Sequence, residues 1–549
     1  MKNIIIFCFV VFFVTNIFAQ EKEVPSITKE TAPTSQDTLM PKIDNPEFVI
    51  TKEEYLTPQL VERQLADEDK IYQVTTKPIS LLPNTDQQKK TQHQLQRERE
   101  IMSGKVLLSF GSYSTPAIEG WFGKNYETSG ILFHGMLYQT KGHVSNADKQ
   151  KGNIELGGNI SLLNLENSIS FLEKSRGQVK VGIGIDNYGL FGSKDSSKNR
   201  SVNNFSFNGN ILQSEFNPSW LNNPLSYQLQ LGINVLSMSD FNDLMEDKFS
   251  LSATSSTTIN SVTYQLFSQY QSVYMREGHQ SYYFRNGLNF DYRWNREINT
   301  SLQLTEIFYR GTQNNSQSQF GGNFLLTYQY SNPLQLTFTI LRDVKKLSIQ
   351  DYLEINPYVS SLTALNHMTI PIQLSVAGLY RFSEKLQLRS DIAFRSAEDR
   401  PFYKADTNKM FDAIYFNSNE IIASATVTYQ NDFKHNLIIS GKYNLPVDSL
   451  EVLPYVPVLE VLAKYQMPII ENLSSTIDLQ LSSPRGFGFK KSDGKTESIF
   501  KLSGRIDYNI LNNLTAVLRM ENLLNSKYKM WEGYNEPGIF ISLGAAYRW

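Results

Sequence analysis

The feature that most constrains this chain is a two-residue hydrophobic period that keeps returning from about residue 105 and is still running when the chain stops at Trp549. In the closing stretch Ile539, Ile541, Leu543, Ala545, Tyr547 and Trp549 fall on one face, and Phe540, Ser542, Gly544, Ala546 and Arg548 on the other. Side chains alternate in this way only on a strand whose two faces meet unlike surroundings. The same pattern recurs upstream. Val179, Val181, Ile183 and Ile185 alternate with Lys180, Gly182, Gly184 and Asp186, and Leu288, Phe290, Tyr292 and Trp294 alternate with Asn289, Asp291 and Arg293. Ile370, Ile372, Leu374, Val376, Tyr380 and Phe382 interleave with Gln373, Ser375 and Arg381, and Leu502, Ile506 and Tyr508 with Lys501, Ser503, Arg505 and Asp507.

One face of each segment suits lipid and the other water. The mean hydropathy is −0.34 despite 29 Tyr and 33 Phe. A helical membrane protein would be far more apolar, and past the first twenty residues no run of about 18 apolar residues occurs. A transmembrane β-barrel hides its membrane signal in alternation and looks polar on average. The connections support that reading. Short turns at 331–333, 383–385, 431–434 and 511–513 alternate with longer polar ones at 143–152, 193–200, 313–318, 396–412, 483–497 and 525–538. Several strands reach the short-turn end on an aromatic ring: Trp294, Tyr330, Phe382, Tyr508 and Trp549. The expected fold is all-β, a single large antiparallel outer-membrane barrel over residues 105–549. It should have about 22 strands and a lumen that needs filling or gating. The register is least defined over 163–177 and 344–366.

Residues 1–19 read as a cleaved secretory signal, with Lys2, an apolar core from Ile4 to Val14, and Ala19 before Gln20. The only cysteine, Cys8, lies inside it, so the mature chain carries neither a disulfide framework nor a thiolate site. Residues 20–104 hold seven prolines and three aromatics among interspersed charges. Such a stretch buries too little to offset chain entropy and is expected to form a largely disordered periplasmic arm, with short helices at 53–73 and 86–102.

The segment Met520-Glu521-Asn522-Leu523-Leu524-Asn525, followed by Tyr528, Gly533-Tyr534, Pro537-Gly538 and the aromatic terminus, resembles the ending of TonB-dependent receptor barrels. Ser542, Gly544, Tyr547 and Trp549 are similar to the signal read by the β-barrel assembly machinery. Ile539 departs from the family, which often carries an arginine there. The receptors also carry a plug of well over a hundred residues, whereas the arm here offers few core-forming residues. The resemblance is therefore to a plugless relative of the receptor barrels, with a leader like those of Bacteroidetes exports. Glu47, Phe48, Val49, Ile50 and Thr51 resemble the receptors' TonB-contacting box.

No metal-ligand spacing joins the six histidines, no G-x-S-x-G is present, and a net charge of −2 offers nothing to nucleic acid. No enzyme activity, cofactor or metal is expected. Twelve charges fall on the water-facing side: Arg285, Asp291, Arg293, Arg381, Arg389, Asp391, Arg395, Lys501, Arg505, Asp507, Arg519 and Glu521. They form either a selectivity surface or a wall of compensating ion pairs. The expected partners are outer-membrane lipid, the assembly machinery, and proteins of the periplasm or outer membrane met through the arm. The primary expectation is a transport or channel barrel sealed by its arm, its loops or a partner. TonB-dependent nutrient uptake and a structural subunit of an envelope assembly or secretion complex are the alternatives.

Overall fold

The computed structural model describes residues 102–549, apart from 127, 162–171, 173–174, 219–222, 242, 276–278, 313–315, 361–364 and 448–449. The leader, the arm with its expected helices, and the pentapeptide 47–51 lie outside the described residues. The strands begin with β1 (Met102–Gly111), β2 (Thr115–Asn125), β3 (Ser129–Thr140), β4 (Lys149–Ser161), β5 (Arg176–Gly189), β6 (Asn199–Phe216), β7 (Leu225–Ser239) and β8 (Asp243–Ile259). They continue with β9 (Val262–Met275), β10 (Gln280–Arg293), β11 (Ile298–Arg310), β12 (Gln317–Gln329), β13 (Leu334–Lys345), β14 (Met368–Arg381), β15 (Leu386–Ala405) and β16 (Phe411–Gln430). The last are β17 (Asn436–Pro446), β18 (Leu459–Ile470), β19 (Leu473–Ser482), β20 (Ile499–Leu511), β21 (Leu514–Glu521), β22 (Lys529–Trp531), β23 (Tyr534–Asn535) and β24 (Phe540–Arg548).

Strands β1 to β21 pair antiparallel with their sequence neighbours, and β24 follows β21. The ring closes where β1 meets β24, from Lys105 opposite Arg548 to Gly111 opposite Ser542. The result is a closed barrel of 22 strands, with β22 and β23 forming a separate hairpin in the last connection. Closure matters because an open edge would leave unpaired N–H and C=O groups in a medium that cannot bond them. The first strand starts three residues before the boundary expected from the sequence.

Outward positions carry the apolar face. Ile183, Leu266, Val376, Ile392 and Leu543 are each more than half exposed, which suits lipid. A ring of 22 strands about 4.8 Å apart and tilted about 40° is on the order of 40 Å across. Both ends of the ring are distinct. The terminal rim holds the start of β1 and Trp549, whose N–H and C=O both bond Gly104 at 3.1 Å. It also holds the turns 260–261, 294–297, 330–333, 382–385, 431–435, 471–472 and 512–513, with Trp294, Tyr330, Phe382 and Tyr508 beside them. The opposite end, here the far mouth, carries the long connections 141–148, 190–198, 346–367, 447–458, 483–498 and 522–539.

One expectation from the sequence needs correction. The stretch 396–412 is not a loop: β15 and β16 run 20 residues each and pair to Ala405 and Phe411, leaving 406–410 as the connection. Crossing a bilayer takes roughly 9–11 strand residues, so this hairpin projects beyond the hydrocarbon layer. A bulge between Ala397 and Arg400 re-aims its outer half. Over 344–366, where the sequence leaves the register least defined, the chain forms α1 (Ile349–Ile355), the single α-helix of the described residues.

Candidate functional site

At the far mouth the long connections and the strand ends beside them pack into one hydrophobic cluster. Helix α1 starts where Ser348 caps the N–H of Asp351 while the Asp351 carboxylate accepts the Ser348 N–H at 2.7 Å. This reciprocal box satisfies donors that a helix start leaves open. A strand completes the anchor. Glu246 of β8 accepts the N–H of Ile349 at 2.6 Å, and Lys248 donates to Gln350 at 3.0 Å. The helix stops at Asn356 because Pro357 follows, and Ile349 and Tyr352 are fully buried.

The Pro357 carbonyl then reaches β5 and β6. It accepts from the Tyr188 hydroxyl at 2.5 Å and from Nη1 of Arg200 at 2.6 Å. Arg200 is itself paired with Asp240, Nε to Oδ2 at 2.8 Å, and both side chains are inaccessible to solvent. Next in the chain, Tyr358 stacks on Tyr534 with centroids 3.5 Å apart, and Phe191 meets Tyr534 edge-on at 5.3 Å. Trp531 is buried against Tyr403, Phe411 and Tyr455 at 5.3, 5.2 and 4.7 Å. Gly533, at φ +90°, lies backbone to backbone against Gly192. Backbone and charge add further ties: Lys194 N–H donates to the Asn408 carbonyl at 3.0 Å, and Lys409 pairs with Glu532.

Where these connections come from decides what they do. The loop 190–198 leaves between β5 and β6, 346–367 between β13 and β14, and 522–539 between β21 and β24. Counted around the ring, β6 to β13 is seven steps, β14 to β21 seven, and β24 to β5 five. Three loops rooted at such spacing meet at Phe191, Tyr358 and Tyr534. This cluster, here the cap, joins connections that leave the ring far apart. Its buried members run from Leu236 and Met238 through Val273, Ile349, Tyr352, Val359 and Leu365 to Phe411 and Trp531 in one continuous cluster.

His367 closes the joint between the cap and the wall. Its Nδ1 accepts the Leu347 N–H at 3.3 Å, so the proton sits on Nε2, which faces the Ser281 hydroxyl at 3.0 Å. Burial lowers its pKa to about 4. Burial likewise pushes the Tyr352 and Tyr358 phenols far above their usual value, so both remain neutral donors.

The charges read from the sequence lie along the wall below. Arg285 bonds Asp343 at 3.3 Å and Gln303 at 3.0 Å. Asp291 accepts from Asn289 at 2.9 Å, and Arg293 donates to the Asn295 carbonyl at 3.2 Å by the terminal rim. Arg395 and Arg400 share the buried Glu420. Lys501 pairs with Glu521 at 3.6 Å and Arg505 with Asp507 at 2.8 Å. Arg381 and Arg389 are exposed and Asp391 is half-buried. Arg519 lines a small recess with Tyr138 and Ser542. In β24, Gly544 abuts the Leu108 carbonyl across the closing seam, Tyr547 and Trp549 stack at 6.0 Å, and the Trp549 ring lies over Gly104.

The histidines are not gathered: His134 bonds Glu119 at 3.0 Å, and His143 packs on Phe191. Among the described residues no group of side chains has the make-up of a metal site. Sequence reasoning passed over Arg200, Asp240, Pro357, His367 and Arg485. The one available signal was apolar residues such as Ile349, Leu353, Ile355 and Val359 in a stretch that fits no strand.

No protein-family model and no curated protein matches this sequence. Among solved structures the chain is similar to the copper transporter OprC, with a TM-score of 0.61 and 11% identity over 82% of this chain and 81% of that one. It is also similar to the siderophore receptor PiuA from Acinetobacter baumannii (0.62, 8%, 82% of each chain). A third is the FrpB iron transporter from Neisseria meningitidis (0.62, 7%, 82% and 81%). These proteins are transporters and receptors, not enzymes, and at such identities what the chain shares with them is the barrel fold.

Proposed function

We propose that this chain is a non-enzymatic outer-membrane transport barrel, a relative of TonB-dependent receptor barrels, that is kept shut from outside by its own loops. The terminal rim faces the periplasm in this reading and the capped mouth faces out. The supporting observation is that three loops rooted far apart on the ring meet in one buried aromatic cluster over the lumen. An uncapped lumen of this width would be a leak in the envelope.

Planar-bilayer conductance tests the reading. The mature chain should be nearly silent, and a variant with 346–367 replaced by a short turn should show large, steady conductance, both with the arm and in a chain starting at residue 102. Full conductance by the unaltered chain, or silence from the armless variant, would overturn it. The copper, siderophore and iron proteins of the same fold favour energised uptake as a second reading. In that case deleting Glu47, Phe48, Val49, Ile50 and Thr51 abolishes substrate accumulation while leaving the barrel in the membrane.

A further inference from the structure

We propose that the terminal mouth of the lumen is an electrostatic selector for anionic solutes, built from six cations on the inner face of its rim: Lys105, Arg176, Arg293, Arg381, Arg389 and Arg548. The cross-strand register fixes that face. Arg548 lies opposite Lys105, Lys105 opposite Trp121 and Trp121 opposite His134. The same parity, followed strand by strand around the ring, holds the other four arginines on the side away from the lipid-facing Ile183, Leu266, Val376 and Ile392. Each of the six lies within the four strand residues nearest the terminal rim. Among the described side chains of that belt the one inner-face carboxylate is Asp291, which accepts from Asn289. Most other inner positions are neutral amides and hydroxyls, such as Gln178, Thr263, Asn299 and Ser474. The turns below the belt carry both signs, Arg296, Lys385 and Lys434 beside Glu297, Glu384, Asp432 and Glu471, so the excess belongs to the inner face of the strands.

Higher on the wall the charges cancel in pairs: Lys180 with Glu155 at 2.7 Å, Lys149 with Asp186 at 3.4 Å, Arg285 with Asp343 at 3.3 Å and Arg505 with Asp507 at 2.8 Å. The rim cations are left over. Arg176, Arg293, Arg381, Arg389 and Arg548 are exposed, and among the described residues none of them holds an ion pair. Arg293 donates to the Asn295 carbonyl, and Asp391 follows Arg389 on the same face just above the belt. Lys105 is half-buried over the Trp121 ring, 5.0 Å from its centroid. Arg381 and Arg389 stand diagonally on adjacent strands, with Gln387 directly opposite Arg381. At 0.15 M salt the field of such charges fades over about 8 Å, so selection acts on solutes passing along the wall of this wide ring and grows as salt is lowered. The guanidinium fork matches carboxylates and phosphates, which sets the class of anion this mouth favours. That the cargo is an anion rests on the transport reading, whereas the field at the rim can be measured without transport.

No cysteine follows Cys8 in the sequence, so a thiol placed in the barrel reacts alone. The test uses Gln387→Cys in the full mature chain in detergent micelles, with heat-modifiable mobility confirming the folded barrel. Its reaction with a sulfonate-bearing and with a trimethylammonium-bearing methanethiosulfonate is timed, and each rate is divided by that of free mercaptoethanol. The normalised rates should favour the sulfonate by roughly threefold or more at about 20 mM salt. The preference should vanish at about 1 M salt, where the field reaches only about 3 Å, and should fall to near parity when Arg381→Gln and Arg389→Gln are added. In the variant with 346–367 replaced by a short turn, the reversal potential in a KCl gradient should show chloride passing ahead of potassium, and less so after the two arginine changes. Equal normalised rates at low salt, a preference that survives high salt or the loss of both arginines, or potassium passing ahead of chloride would each overturn the proposal. Silence of the loop-replaced variant would sink the transport reading alone, and the thiol ratio would still decide this one.

Discussion

The tie between Arg200 and Pro357 makes the cap's closure measurable. Arg200 and Asp240 are both inaccessible, and Arg200 also donates to the carbonyl that anchors the loop 346–367 across the mouth. Arg200→Met removes the cation facing a buried carboxylate, and breaking a buried pair in this one-sided way costs about 3–5 kcal/mol. At about 1.4 kcal/mol per decade, the open population of the cap should rise roughly a hundredfold to a few thousandfold. Replacing both members, Arg200→Met with Asp240→Leu, removes the buried carboxylate as well and should restore closure to within about 1–2 kcal/mol of the parent, because apolar isosteres often replace buried pairs at little cost. Tyr188→Phe is the scale bar. It removes one of the two bonds to the same carbonyl, worth about 0.5–1.5 kcal/mol. Amide exchange over 346–360, followed by mass spectrometry, reports the opening, and bilayer conductance reports its consequence. A single variant whose exchange rises less than tenfold, or a double variant as open as the single one, would refute the argument that this pair latches the cap.

Two further predictions concern the same lid. His367 is held neutral, with its pKa lowered from 6.5 to about 4, so below pH 6.5 the opened form takes up a proton that the closed form refuses. The contribution of His367 to closure should therefore weaken by about 3 kcal/mol as pH falls from 6.5 to 4 and level off below, read as the difference in amide exchange between the parent and His367→Gln. Gly533→Ala adds a Cβ at φ +90° and 2.8 Å from the Gly192 carbonyl oxygen, which should cost about 1–3 kcal/mol and raise exchange in 190–198 and 522–539 together. Glu532→Ala next to it loses only the part-exposed pair with Lys409, at most about 1 kcal/mol, and equal effects of the two would contradict the backbone-contact account.

The wall of this protein was legible because alternation is a local property. Val179 to Ile185 and Leu502 to Tyr508 declare their faces within seven residues, and closure then follows from the need to pair every backbone group. The cap was not legible, for an equally physical reason. Tyr358, Tyr534 and Phe191 are neighbours only because their loops leave the ring at distant points, and no sequence period records that meeting. The overlong hairpin of β15 and β16 was misjudged for a related reason. Its outer half, including Tyr403 and Phe411, buries side chains against the cap rather than lipid, so the membrane-type alternation breaks at the bulge. Among the lumen charges the face was readable from parity. The partners Asp343 and Glu420 were not, since cross-strand pairing depends on register.

The wall and the lid differ in how they can move, and this locates any gate. Each strand of the ring is held on both sides by a ladder, and opening the wall would expose those bonds to lipid, which cannot replace them. The cap is instead a small water-facing core whose loops touch through rings, a few carbonyls and buried charges, the kind of unit that opens locally at a cost below that of global unfolding. Within it the loop 346–367 is held at Glu246 at the helix start, at the Pro357 carbonyl midway and at His367 at the return to the wall, with backbone bonds from Ser360 to Phe411 and from Thr312 to Leu365 between them. Each attachment is a charged or hydrogen-bonded joint set into apolar surroundings, where an added proton, charge or ligand changes its strength most. On the proposed reading, opening the mouth releases joints between such loops rather than parting any strand.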